Sequence, residues 1–284
     1  MHERTTGDGS ITCFSDEYGE HYHSLSGAAT EAREKFAAPA LKTTGIVTQK
    51  NITILDIGFG LGYNAVSALE LLKAENPSCR ITIHSLEKHA SVLPAALRVH
   101  NGSSDHEICS YMNGVCTDGT YNTEKLNARL FISDARTYIK ECTTRYDAIF
   151  LDAFSTKKNT ELWTYDFFLE LKRCLQPHGI LVTYSAAYPV ISGLLAAGLH
   201  IRETPAVGRS VGGIIASCVE YHSFAELNEE RQRERLATTG VLMYRDETLS
   251  TTPEDILARY EREKAELKAR GVPSIKRYRK DNDA

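Results

Sequence analysis

Hydrophobic and polar positions along the chain alternate between two spacings. Ile52 to Gly58 (ITILDIG) is an apolar, β-branched run closing on Asp and Gly, the pattern of a buried strand. A glycine-rich turn, GFGLGYN, follows it, and from Ala65 to about Lys73 apolar residues recur at helical spacing. The alternation then repeats. Strands are predicted at RITIHSLE, ARLFISD, YDAIFLDAF and ILVTYSA, with helices at HASVLPAALRVHN, ARTYIKEC, TYDFFLELKRCL and PVISGLLAAGL. Pro94 delays or kinks the first of these helices, and Pro177 with Gly179 is expected to stop the third. IRETPAV and GIIASCV read as a closing hairpin.

Strands that alternate with helices predict right-handed crossovers and a doubly wound, mostly parallel α/β sheet of Rossmann-like type. The hairpin adds an antiparallel strand, expected at the sheet edge. Glu20 to Phe36 reads as a turn entering a helix, and Asn101 to Thr123, rich in Gly, Ser, Asn and Asp, as an exposed insertion. From Ala225 the chain becomes densely charged, with a helical stretch at PEDILARYEREKAELKARG and a basic run from Lys276 to Lys280. The organisation expected is a covering segment over 1–50, a core over 51–224 and a charged appendage over 225–284.

Composition narrows the class. With 284 residues, 42% hydrophobic and a formal charge of −4, the chain suits one large α/β domain. No run approaches the roughly 18–20 apolar residues of a membrane helix, and no secretory leader is legible, so a cytoplasmic protein is expected. Seven cysteines without a C-x-x-C pair argue for free thiols, and no metal site is expected. The net charge gives no overall attraction to nucleic acid, so a polyanionic partner needs a local basic patch.

Candidate chemistry begins at the first strand-to-helix turn. Gly58, Gly60 and Gly62 are spaced G-x-G-x-G, with Tyr63 where a dinucleotide-binding fingerprint would carry its third glycine. Asp56 before them would repel a pyrophosphate and suits a cation such as the ammonium of a methionine moiety. Glu87 closes the second strand, the usual place for a carboxylate that accepts ribose hydroxyls. Asp134, with Ala135 beside it, follows the third and is a candidate acceptor for an adenine amino group. Each carboxylate alone also suits a helix N-cap or a solvated strand end; their shared position at strand C-termini favours a site for S-adenosyl-L-methionine.

At the end of the fourth strand Asp152 and Phe154 occupy the place where many amino-group methyltransferases carry a short polar-to-aromatic segment. An alkylammonium with pKa around 10 must lose its proton before its nitrogen can attack, and a carboxylate can accept that hydrogen bond and aim the lone pair. Phe154 and Trp163 are candidate stacking platforms for a planar base. Lys157, Lys158 and Arg209 are candidate phosphate contacts at the rim.

The segments YHS-x-x-GA-x-x-E near the start, LDIGFGLGYNA, LDAF-x-x-x-KN-x-x-LW and AVGRSVGG together resemble the methyltransferase half of the MnmC family, over most of residues 8–213. The resemblance implies a class I S-adenosylmethionine-dependent fold. It further implies methyl transfer to the aminomethyl group of a tRNA wobble uridine, 2-thiolated or not. Asp56, Gly58, Gly60, Gly62, Glu87 and Asp134 would hold the cofactor. Asp152 and Phe154 would face the amine, with Lys158, Asn159 and Trp163 near, and the anticodon stem-loop would be the partner. The flavin-dependent oxidase half of the fused enzymes finds no room here, so a separate enzyme is expected to supply the aminomethyl form. The 101–123 insertion and the tail are expected to lie outside the shared core.

Two other readings remain open on the residues alone. One keeps the donor but transfers methyl or aminopropyl to a small-molecule amine; the other is an RNA-binding protein with a vestigial pocket.

Overall fold

A computed structural model describes residues 2–206 and 212–282. Its frame is an eight-stranded sheet. The strands are β4 (Asn51–Ile57), β5 (Arg80–Glu87), β6 (Thr120–Asn122), β7 (Leu126–Ile132), β8 (Tyr146–Leu151), β9 (Leu175–Thr183), β10 (His200–Glu203) and β11 (Ile214–Ser217). Their spatial order is β10-β11-β9-β8-β4-β5-β7-β6. β7, β5, β4, β8 and β9 pair in parallel, as the strand–helix alternation requires. A separate three-stranded antiparallel sheet, which the polar N-terminal sequence did not announce, comprises β1 (His2–Thr5), β2 (Ile11–Ser15) and β3 (Glu20–His21).

The helices are α1 (Ala28–Glu31), running on into a π-helical stretch over Ala32–Thr43, then α2 (Tyr63–Glu75), α3 (Leu93–His100), α4 (His106–Asp118) and α5 (Ala135–Glu141). They continue with α6 (Tyr165–Arg173), α7 (Tyr188–Ala196), α8 (Glu229–Ala237), α9 (Pro253–Ala269) and α10 (Ile275–Asn282). Side chains along a strand alternate between faces, and this alternation divides the core. Ile52, Ile54, Phe150 and Val182 pack under α2, α4 and the π-helical stretch. Leu55, Ile57, Ile149, Leu151 and Leu181 pack against α5, α6, α7 and the C-terminal region.

The structure departs from the sequence expectations in three places. The antiparallel hairpin strand β11 is not at the edge; it inserts between β9 and β10, and β10 closes the sheet. The segment from Asn101 to Thr123 is not an exposed loop. It contains α4, whose Ile108, Tyr111, Met112 and Val115 are buried, and then β6, which pairs with β7. Its polar residues hid an apolar stripe at helical spacing. Pro177 and Gly179 do not lie beyond a helix end in a turn; they fall inside β9, at a register irregularity against β8. A Cβ on Gly179 would sit 2.5 Å from the Tyr146 carbonyl oxygen, so the close approach there requires glycine.

The charged C-terminal stretch packs on the core through Tyr244, Ile256 and Tyr260. Asp246 is fully buried and accepts a 2.9 Å bond from Arg136, which ties this region to the start of α5. No described helix is long and apolar enough to cross a membrane. Among the described residues no group of His, Cys, Asp and Glu is arranged to hold a metal.

Candidate active site

The C-terminal ends of β4, β5, β7 and β8 open into a cavity of about 480 Å³, within the range typical of small-molecule sites. This is where doubly wound sheets place their ligands, because at the point where strand order reverses the adjacent connections leave to opposite faces and a crevice opens between them. β4 is that point: its neighbours β5 and β8 lead to opposite sides.

Gly58 and Gly60 line the cavity. Gly58 has φ +85°, and a Cβ there would meet the Asp152 carbonyl oxygen at 2.5 Å, so both the turn and the packing of β4 on β8 demand glycine. Gly62 has a different duty. It does not line the cavity but lies against α4, where a Cβ would come within 2.8 Å of Met112. The glycine-loop backbone thereby comes close to the cavity, as a ligand cradle needs.

Glu87 is the central carboxylate of the floor. One oxygen accepts the Gly60 N–H at 2.9 Å and the other the His89 N–H at 2.9 Å. Burial pushes its carboxyl upward while those two amides pull it back toward the charged form. Each oxygen retains lone-pair capacity, so the carboxylate can receive a vicinal diol.

Asp56 is not a cavity-wall residue. It projects to the face of the sheet occupied by Tyr111, is fully buried and, among the described residues, receives only a long 3.4 Å contact from Ser85. Burial, and then the Asp152 charge, push its carboxyl from 3.8 up to about 8, so it is mostly neutral at pH 7. An ammonium ligand is therefore not met by Asp56 directly, contrary to the sequence expectation. Period-2 alternation explains this: the residue two before Gly58 points into a sheet face, whereas the strand end opens into the crevice.

Asp134 lines the cavity together with Ala135, but it also caps α5. Its carboxylate accepts the Arg136 N–H at 2.8 Å and the Arg136 guanidinium at 2.9 Å. That guanidinium holds its carboxyl below the usual range, against the effect of burial.

Asp152 faces the cavity from the end of β8, and its Oδ2 accepts a 2.7 Å bond from the Asn64 side-chain amide. Phe154, two residues on, belongs to an aromatic roof. It stacks on Tyr18 with centroids 4.2 Å apart and lies 5.0 Å from Tyr22. Tyr18 lies in the turn between β2 and β3 and Tyr22 just past β3; Glu20 of β3 fastens this hairpin, accepting from both the Ser155 N–H at 3.1 Å and its hydroxyl at 2.6 Å.

Trp163 is not a stacking platform. It is fully buried and donates its indole N–H to the Phe154 carbonyl at 2.9 Å, fixing the backbone beneath the roof. Asn159 lines the cavity and accepts the Phe154 N–H at 3.1 Å. Lys157 and Lys158 are exposed and stand outside the cavity wall. Arg209 lies outside the described residues.

Tyr18, Tyr22, Glu20, Asn64 and Glu161 are the site residues that sequence reasoning missed. Tyr22 opens the YHS motif, Asn64 follows the glycine loop, and Glu161 occupies a variable position of the KN-x-x-LW motif; only the fold shows that Tyr18, Glu20, Tyr22 and Glu161 line one cavity and that Asn64 holds Asp152 at its wall.

These features fit S-adenosyl-L-methionine: a glycine cradle, a carboxylate with capacity for a diol, and a crevice lined with acidic groups that suits a sulfonium and an ammonium. Comparisons with known proteins agree. Residues 106–218 match a family of S-adenosyl-L-methionine-dependent methyltransferases. The protein MJ0670 of Methanocaldococcus jannaschii is 32% identical over 98% of this chain and 78% of its own length. The bifunctional tRNA 5-methylaminomethyl-2-thiouridine biosynthesis protein MnmC of Ralstonia nicotianae is 29% identical over 70% of this chain, which spans only 32% of that longer protein. The crystal structure of MNMC2 from Aquifex aeolicus superposes with a TM-score of 0.79 at 33% identity, covering 91% of this chain and 83% of that one. The matched family residues include α4, so the 101–123 segment is part of the shared core and not an addition to it. The chain belongs to the class I S-adenosyl-L-methionine-dependent methyltransferases of the MnmC2 type.

Proposed function

We propose that this methyltransferase acts on tRNA, converting the 5-aminomethyl group of a wobble uridine, with or without 2-thiolation, to 5-methylaminomethyl. The observation that carries the reading is the setting of Asp152: a carboxylate held at 2.7 Å by Asn64, on the cavity wall next to the aromatic roof. The likeness to the methyltransferase part of MnmC and to MNMC2 supports the choice of acceptor.

The donor supplies a methyl group activated by its sulfonium. The protein's part is to deliver a neutral, directed amine. Asp152 accepts a hydrogen bond from the incoming nitrogen, draws off its surplus proton and keeps the lone pair in line. The bond from Asn64 prevents the carboxylate from rotating away. The neutral form of Asp56 keeps a second negative charge out of the space next to Asp152. Phe154, Tyr18 and Tyr22 form an apolar cover that limits water and offers faces to a planar base. The exposed Lys157 and Lys158 stand on the chain just beyond Ser155, where a backbone phosphate would add to binding without entering the pocket.

The test is transfer of labelled methyl to tRNA lacking the modification, followed by mass spectrometry of its wobble nucleosides. Label on 5-methylaminomethyluridine supports the reading. Label absent from that nucleoside, with turnover of a small amine instead, refutes it.

A further inference from the structure

Glu161 lines the cavity yet has a surrounding unlike that of the other carboxylates. It belongs to the short 3₁₀ turn Thr160–Trp163, and it is only 2% exposed. A chain of hydrogen bonds fixes which of its oxygens is free. The Phe154 N–H donates to Asn159 Oδ1 at 3.1 Å, so the amide end of Asn159 must face the other way. That amide Nδ2 donates to Glu161 Oε1 at 3.2 Å, and Lys88 Nζ lies 3.7 Å from the same oxygen. Glu161 Oε2 is buried and has no hydrogen-bond partner among the described residues. A buried acceptor left unpaired is costly, and a ligand donor would relieve that cost.

Neighbouring groups indicate which part of the ligand lies there. Lys88 follows Glu87 at the end of β5, and its charge acts on Asp134 at the end of β7. Lys88, 3.7 Å from Glu161 Oε1, thus links Glu161 to the β5 and β7 strand ends that carry Glu87 and Asp134. Asp134, the sequence candidate for the adenine amino group, already has its carboxylate engaged by the Arg136 backbone and guanidinium.

We propose that Glu161 is the specificity-determining residue for the nucleobase of the donor, its Oε2 accepting the exocyclic N–H of adenine. Asn159 is the positioning residue that turns that oxygen toward the base. The inference rests on the cofactor reading, and it goes beyond it by stating which base is selected and by which atom.

Calorimetry with S-adenosyl-L-homocysteine and its 6-oxo counterpart, S-inosyl-L-homocysteine, tests this without turnover. Wild type is expected to bind the adenosyl form at least about tenfold more tightly, because the 6-oxo group brings an acceptor against an acceptor. In E161Q the side-chain oxygen must take the Asn159 amide, which leaves the Gln NH2 facing the base. That variant should lose affinity for the adenosyl form, gain it for the inosyl form and so narrow or reverse the preference. D134A should keep the wild-type preference.

Equal weakening of both ligands in E161Q, with the preference intact, would show a purely structural role and overturn the proposal. Loss of the preference in D134A would overturn it too, by assigning the amino group to Asp134. Failure of wild type to bind either compound would instead overturn the cofactor reading on which the proposal stands. Thermal melting of each variant separates a folding defect from a change in selectivity.

Discussion

The floor and the roof of the cavity are built in opposite ways. The floor is local: Gly58, Gly60, Glu87 and Asp152 each sit at or just past the end of a parallel strand, and the sheet alone brings them together. The roof is assembled over long sequence distances. Glu20 reaches Ser155 across 135 residues, and Tyr18 meets Phe154 on faces that no strand period relates. The lesson is that the floor is specified by topology, whereas the roof depends on contacts that exist only after the chain has folded. Floor substitutions should therefore act on chemistry and cofactor affinity, and roof substitutions on closure and acceptor binding.

The largest effect is expected at Asp152. Asp152→Ala should lower methyl transfer by about 10²–10⁴-fold, the usual range for a positioned general base, while changing cofactor affinity only a few-fold. Single-turnover kinetics beside calorimetry will show whether the two separate; a parallel collapse of both would place Asp152 in the cofactor site only. Glu87→Ala should come next. It removes a carboxylate suited to the ribose and leaves the Gly60 amide unpaired, which should weaken cofactor binding about 10–100-fold. Unchanged affinity would refute the assignment of the ribose to Glu87.

Asp56 offers a test of stability within the floor. Its folded-state carboxyl titrates at about 8 against an ordinary value of 3.8, so the native state holds the proton more tightly than the unfolded chain. The stabilisation is complete below the ordinary value and is lost as pH rises through about 8, on the order of a few kcal/mol. Asp56→Asn should flatten that decline, which thermal melts from acid to mildly alkaline pH will check. A wild type whose stability rises over that interval, with no change in the variant, would contradict the assignment.

The smallest effect belongs to the roof. Glu20→Gln weakens but does not delete the clasp on Ser155. It should raise KM for tRNA a few-fold while leaving cofactor affinity within about twofold, since an exposed or half-exposed hydrogen bond is worth roughly 0.5–1.5 kcal/mol. A larger loss of cofactor affinity than of tRNA affinity would show that the roof covers the donor instead of the acceptor.

Much of this division was legible beforehand. The strand–helix alternation gave the parallel sheet, because a buried parallel strand reads as a continuous apolar run. Glu87 and Asp152 were read at strand ends, where a parallel sheet opens its crevice, and both line the cavity. Asp56 was misread because the two-residue period turns it into a sheet face, against Tyr111. The α4 stripe was hidden by the polar residues on its solvent side. Trp163 could not be told from a platform by type alone: the same indole either stacks or donates its N–H, and here it donates to the Phe154 carbonyl. The roof tyrosines stand in a polar stretch with no period, where nothing in the sequence pairs them with Phe154.

The central claim is that the C-terminal edge of β4, β5 and β8 grips the donor and turns its reactive end toward Asp152. A crystal structure with S-adenosyl-L-homocysteine tests it most directly. The account predicts the ribose hydroxyls on the Glu87 carboxylate, the amino-acid part along Gly58 and Gly60, and the sulfur opening toward Asp152 beneath Phe154. A ligand bound elsewhere, or one lying in the cavity with its ribose away from Glu87 and its sulfur away from Asp152, would contradict it.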